Sequence, residues 1–173
     1  MYEIKDDIFY KEYSIYKDSV IDYFIIKSDK KVSHKEVLLF ALKIFNERND
    51  FDFTYDESKM KEKKINKNDL FNKNYNNLFL KPPFGTPSLK CYYEMYDREH
   101  MLINKREKYT IDDFNHLNDL LFPKGKDNLE IYEWSTDWSD YFDDGNEWWG
   151  SKCVSIYDKL CDRFVIIMVS ITD

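Results

Sequence analysis

The chain predicts an α+β fold, a mainly antiparallel sheet with two or more helices packed on it. Three observations predict it. A capping-box pair, Ser33 and Glu36, heads a segment with helical spacing of apolar residues. A second helical stripe follows Thr110, and the last third of the chain consists of strand signals. At 173 residues the chain is read as one domain spanning 1–173, long enough to bury a substantial core.

Taken in order, the β-branched and aromatic run Val20–Ile26 reads as the first strand. After the Ser33 cap, Val37, Phe40, Ala41, Ile44 and Phe45 repeat at helical spacing, and the helix should end near Asn49. Phe51–Tyr55 alternates like a short strand. Residues 57–77 are low in complexity and rich in lysine; they read as a solvated loop or short polar helix, against the rival of an RNA-contacting loop using Phe71 and Tyr75. KPPFGTP at 81–87 is a stiff turn region, since proline fixes φ and removes a donor. Leu89–Tyr96 and Met101–Lys108 read as paired strands. Ile111, Phe114, Leu117 and Leu121 make the second helix, closed by Pro123 and Gly125. Leu129–Trp134, Trp148–Tyr157 and Phe164–Ile171 complete the strands. The near-continuous apolar run FVIIMVSI is what a central strand covered on both faces requires.

Composition narrows the function classes. Hydrophobic residues make up 43% and aromatics 18%, which excludes extended disorder. The three cysteines, Cys91, Cys153 and Cys161, show no CxxC spacing, no apolar segment follows Met1, and no run is long enough to span a membrane. A cytoplasmic protein with reduced thiols is therefore expected, with no membrane partner.

Net charge is −7, yet its distribution is uneven. Between Asp127 and Glu147 lie eight carboxylates and no lysine or arginine, so this segment carries −8 and the remainder about +1. All four tryptophans fall between Trp134 and Trp149. A concentrated acidic patch steers cationic partners and is a poor match for nucleic acid, which needs clustered cations.

Chemical motifs are thin. His34, His100 and His116 lack ligand spacing, and no metal is expected; His34 and His116 read as surface positions on their helices. An EF-hand loop begun at Asp140 would place Gly145 at position six, but it would put Phe142 where an oxygen ligand is needed and Ser151 where a bidentate Glu is needed. No nucleophile elbow, dinucleotide fingerprint or phosphate loop occurs, and Cys91 with His100 forms no recognised pair. No catalytic residue and no cofactor is expected.

In the strand Leu129–Trp134, Leu129 and Ile131 should face one side, and Glu130, Tyr132 and Trp134 the other. Trp148 and Trp149 are adjacent, so they should point to opposite sides. The segment therefore has two readings. In one, Trp138, Tyr141 and Phe142 fold the loop back over the sheet while the acids face water. In the other it is an interface built of Trp134, Asp137, Trp138, Asp140, Tyr141, Asp143, Asp144, Glu147 and Trp148, because tryptophan and tyrosine dominate binding hot spots and carboxylates raise association rates with basic partners.

The patterns EWWGSKCVSIYD and RFVIIMVSITD resemble the C-terminal part of uncharacterised small bacterial proteins ending in a Trp-rich strand and a hairpin. In overall character the chain is similar to acidic immunity proteins of bacterial toxin systems. That resemblance implies binding and neutralisation of a basic toxin domain by occlusion, with Asp137, Asp140, Asp143 and Asp144 meeting its charge and Trp138 and Tyr141 anchoring the contact. The alternative is a carboxylate-based hydrolase acting on a sugar or similar polar substrate, which needs a pocket with at least two converging acids, one of raised pKa. A homo-oligomer whose second copy covers the tryptophans is the third reading.

Overall fold

The computed structural model of the protein describes residues 1–13, 21–72, 91–96 and 111–171. Among these residues six strands form one antiparallel sheet: β1 (Tyr2–Glu3), β2 (Ile21–Lys27), β3 (Glu62–Ile65), β4 (Leu129–Trp134), β5 (Gly150–Asp158) and β6 (Arg163–Ile171). Their spatial order is β1-β2-β6-β5-β4-β3, so the last strand in sequence lies near the middle. The helices are α1 (Ile8–Tyr13), α2 (His34–Asn49), α3 (Lys67–Phe71), α4 (92–96), α5 (Ile111–Leu121) and α6 (Asp143–Glu147). The fold is α+β.

Side-chain alternation divides the sheet into two packed faces. On β6, Val165, Ile167, Val169 and Ile171 enter one core with Phe9 of α1, Leu70 of α3, Tyr92 of α4 and Phe114 of α5. Phe164, Ile166 and Met168 of the same strand enter the other, under α2. Two covered faces account for the unbroken apolar run of β6. Its register pairs Tyr23 with Ile167 and Val154 with Ile167, linking β2 and β5 through one central strand.

Helix α2 begins as the sequence indicates. The Ser33 Oγ accepts from the Glu36 N–H while the Glu36 carboxylate accepts from the Ser33 N–H, at 3.2 and 2.7 Å. The helix ends at Asp50, held in the left-handed region at φ 57°. Its buried face is rotated from the expected stripe: Val37, Leu38, Ala41 and Leu42 are buried, whereas Phe40, Ile44 and Phe45 are only partly covered. On α5, Phe114, Leu117 and Leu121 are buried as expected, but Ile111 is exposed at the first turn.

Three further expectations need correction. Residues 92–96, read as the end of a strand, are helical. Tyr92, Met95 and Tyr96 are all buried, and their spacing is that of a helix face; the β-propensity of tyrosine misled. The partner strand read at Met101–Lys108 lies outside the described residues, as do the KPPFGTP turn and Thr110. Among the described residues Phe51–Tyr55 joins no ladder beyond a single bridge from Tyr55 to Ser139. Finally, the lysine-rich stretch, read as loop or polar helix, contains the edge strand β3, in which only Ile65 is buried. A lysine-bearing strand at a sheet edge discourages pairing with other chains.

Candidate functional site

The acidic stretch is partly neutralised by the basic one. β3 runs antiparallel to β4, with Lys64 opposite Tyr132. Lys64 and Lys159 approach Glu130 at 3.7 and 3.6 Å, and Lys67 pairs with Asp127. Glu133 turns inward, where its carboxylate meets the Lys152 ammonium at 3.0 Å with both side chains almost fully buried. The remaining unbalanced acidity therefore sits between Asp137 and Glu147.

That segment folds back on the α2 face of the sheet. Trp134, Trp138, Tyr141 and Phe142 are buried in the core beneath α2. The Trp134 Nε1–H donates to Ser155 Oγ at 2.8 Å, and Tyr141 packs edge-on against Phe45 and Phe53 with ring centres 5.0 and 5.6 Å away. Trp134, Trp138 and Tyr141, candidates for partner contact, are thus interior residues of the folded chain. Apolar and aromatic area this large is removed from water by self-packing.

The outer side of the segment carries the other candidates. Asp140, Asp143, Asp144, Glu147 and Trp148 are exposed, and Asp137 is half-buried. Asp140 is already engaged: its carboxylate accepts from the Thr54 N–H at 2.7 Å and from the Thr54 hydroxyl at 3.0 Å. Asp143, Asp144 and Glu147 form no ion pair among the described residues. Trp148, 48% exposed, caps α6, while Trp149 packs against the opposite core. The adjacent tryptophans diverge as the sequence requires.

Two devices fix the loop. Asn146 accepts from the Thr136 hydroxyl at 2.9 Å and donates to the Thr136 carbonyl at 3.0 Å, and it also receives the Ser151 hydroxyl. Gly145 lies so close to β6 that its N–H donates to Ser170 Oγ at 3.0 Å. The glycine that suggested a calcium loop is there for close packing. Among the described residues no three metal-ligating side chains come together, and no helix is long and apolar enough to cross a membrane.

Comparison with known proteins finds no matching family model, curated relative or solved structure. The functional reading therefore rests on the residues themselves.

Sequence reasoning missed two titratable groups. His34, read as surface, is half-buried: its Nδ1 lies 2.8 Å from Ser155 Oγ, and its ring packs on Tyr132 and Phe164. Burial pulls its pKa down to about 4. Asp22 on β2 accepts the Tyr141 hydroxyl at 2.6 Å, and burial raises its pKa to about 6 against the opposing pull of that bond and of Arg48. Ser155 is 121 positions from His34 and Tyr141 is 119 from Asp22, so no local signal could reveal either pairing.

The two groups act on stability with opposite signs. Between pH 6 and 4 the folded chain holds a proton on Asp22 that the unfolded chain lacks, so acidification stabilises through Asp22. Over the window from 6.5 to 4 the unfolded chain takes up a proton at His34 that the folded chain resists, so acidification destabilises through His34. The His34 contribution, reduced by its partial exposure to solvent, is on the order of 1–2 kcal/mol, and that of the buried Asp22 about 3 kcal/mol. In urea denaturation at pH 4 to 7, Asp22→Asn should gain about that amount over the parent at pH 7 and lose the gain by pH 4. His34→Gln should gain on the parent progressively as pH falls. Parallel stability curves for parent and variants would refute both assignments.

His34 also borders the cavity of about 490 Å³ lined by Lys30, Glu130, Tyr157, Asp162 and Phe164. Cys91, by contrast, is a buried thiol whose pKa burial raises, and His100 lies outside the described residues.

Proposed function

We propose that the chain is a non-enzymatic binding protein acting inside the cell, most concretely an immunity protein that neutralises a basic toxin domain. The observation that carries this reading is the two-sided build of Asp137–Trp148: its aromatic rings anchor it in the core, and its carboxylates stand outward beside an exposed tryptophan. A rigidly mounted acidic surface steers a cationic protein at little ordering cost and repels phosphate. Occlusion of the toxin's cationic site is the mechanism. Asp143, Asp144 and Glu147 supply the charge, with Trp148 as the contact anchor in place of the buried Trp138 and Tyr141.

The test uses the protein encoded by the reading frame adjoining this chain's gene. Asp143→Lys/Asp144→Lys should slow association about tenfold and flatten its salt dependence in stopped-flow measurements. Trp148→Ala should cost about 2 kcal/mol of binding. Asp140 is left untouched, because reversing it would also release Thr54. Unchanged association and undiminished protection by the double variant would defeat the proposal.

The hydrolase alternative is favoured by one observation, the cavity at His34 with Glu130 and Asp162 in its wall. Burial would raise Glu130, but Lys64, Tyr132, His34 and Lys159 together hold it below its usual value. Glu130 would then serve as base or nucleophile, leaving the acid to another group. The raised carboxylate, Asp22, belongs to a separate place under Tyr141. Glu130→Gln should leave binding of the basic partner intact, and under the hydrolase reading it would abolish turnover of a sugar substrate.

A further inference from the structure

A groove of about 720 Å³ runs along the outer flank of α2, between the helix and the 52–55 segment. Its floor is apolar, formed by Leu39, Phe40, Leu42 and Phe53, with Tyr55 at one end 51% exposed. The groove exists because the buried face of α2 is turned toward Leu38 and Leu42, leaving the Leu39–Phe40 flank only partly covered.

The groove is built, since its far wall is stitched on both sides. Asn46 of α2 donates to the Phe53 carbonyl at 2.9 Å and accepts its N–H at 3.2 Å. On the other side Asp140 grips Thr54, and the Asp56 N–H donates to the Trp138 carbonyl at 2.7 Å. Thr54 and Tyr55 also line a hollow of about 240 Å³ with Asp56, Asp137, Asp140 and Asp143, so groove and hollow are one continuous surface. Together they present seven carboxylates against two lysines, Lys43 and Lys59. Lys43 is paired with Glu47 at 3.7 Å and Lys59 with Asp56 at 3.9 Å.

We infer that this surface docks a basic amphipathic helix of a protein partner, its apolar side on Leu39, Phe40 and Tyr55 and its cationic side toward the hollow. Glu36 to Glu47 spans about 16 Å of helix axis, the length of three turns, which suits a docked segment with anchors at i, i+3, i+4 and i+7. A rim with seven carboxylates and two lysines selects lysine- or arginine-bearing segments over acidic ones. The inference rests on the reading of the chain as a binding protein and names the element of the partner that it takes.

The probe is a fluorescein-labelled 14-residue peptide with leucines at helical spacing and lysines elsewhere, titrated into the full chain by anisotropy. A scrambled peptide of the same composition measures charge attraction alone. The ordered peptide should bind at least tenfold more tightly than the scrambled one, and Leu39→Ser/Tyr55→Ser should abolish that difference. Near-UV circular dichroism establishes that the variant is folded, and Tyr55→Ser alone, at an exposed position, serves if it is not. Equal binding of ordered and scrambled peptides, or an unaffected groove variant, overturns the inference. So does a concentration-dependent dimer that disappears in Tyr55→Ser, because the occupant is then a second copy. Should the adjoining-frame protein need Asp143 and Asp144 but tolerate Leu39→Ser/Tyr55→Ser, the acidic surface stands and the groove inference falls.

Discussion

Replacing Lys152 with methionine is expected to destabilise the fold by about 3–5 kcal/mol, a fall in midpoint temperature on the order of 10 °C. The reason is the neighbour left behind. Lys152 and Glu133 are 1% and 2% exposed and meet at 3.0 Å across adjacent strands of the sheet. Burial draws the Lys152 ammonium down from its usual value, and Glu133 opposes that pull. Removing the cation takes from the buried carboxylate the ammonium that it meets at 3.0 Å. The pair itself need not contribute net stability, because withdrawing two ions from water costs about as much as their attraction returns. Lys152→Met/Glu133→Leu should therefore recover most of the loss. A urea double-mutant cycle measures this directly, and a double variant as unstable as Lys152→Met would refute the ion-pair account.

Gly145→Ala should cost about 3 kcal/mol, large for the addition of one methyl group. A Cβ at this position would lie 2.8 Å from the Gly150 carbonyl oxygen, 2.8 Å from the Ser170 Cα and 2.9 Å from the Ile171 nitrogen. All three are backbone atoms of the sheet, so no side chain can swing aside. The helical turn α6 would have to lift from β6, moving Asp143, Asp144 and Trp148 with it. Denaturation should show the lost stability, and Trp148 fluorescence should shift as its surroundings change. Gly125→Ala is the contrasting case, with open space around it but a positive φ of 87°, so its smaller cost is conformational. Equal effects at the two glycines would contradict the close-packing argument.

The elements legible in the sequence were those whose signal is local. Ser33 and Glu36 cap α2 through residues three apart, and the alternation of β4 places Ile131 and Trp134 on the faces that the sequence indicates. The two-sided burial of β6 was equally readable, because both faces draw on one contiguous run. What escaped was decided by distant partners. β3 is a strand because β4 offers it an edge, although EKKI alone has no strand pattern. Around the candidate site, alternation told which rings of β4 turn inward. It could not tell that Tyr141 would find cover under Phe45 and Phe53, which belong to a segment some ninety positions earlier. The acidic surface was visible as composition, and its partial neutralisation by Lys64 and Lys67 was not.

The placement of β6 has a consequence for how the chain comes to be folded. β2 and β5 each use β6 as a partner, and the cores on both faces of the sheet take alternate residues from it. During synthesis, β2 emerges some 140 residues before the strand it must join. Until residue 171 has left the ribosome, β2 and β5 each lack a neighbour and neither core can close. Pairings of such long sequence separation form slowly, and the open edges are open to misassembly in the meantime. Folding should therefore be a late, near-simultaneous event in which the final strand seals both cores at once.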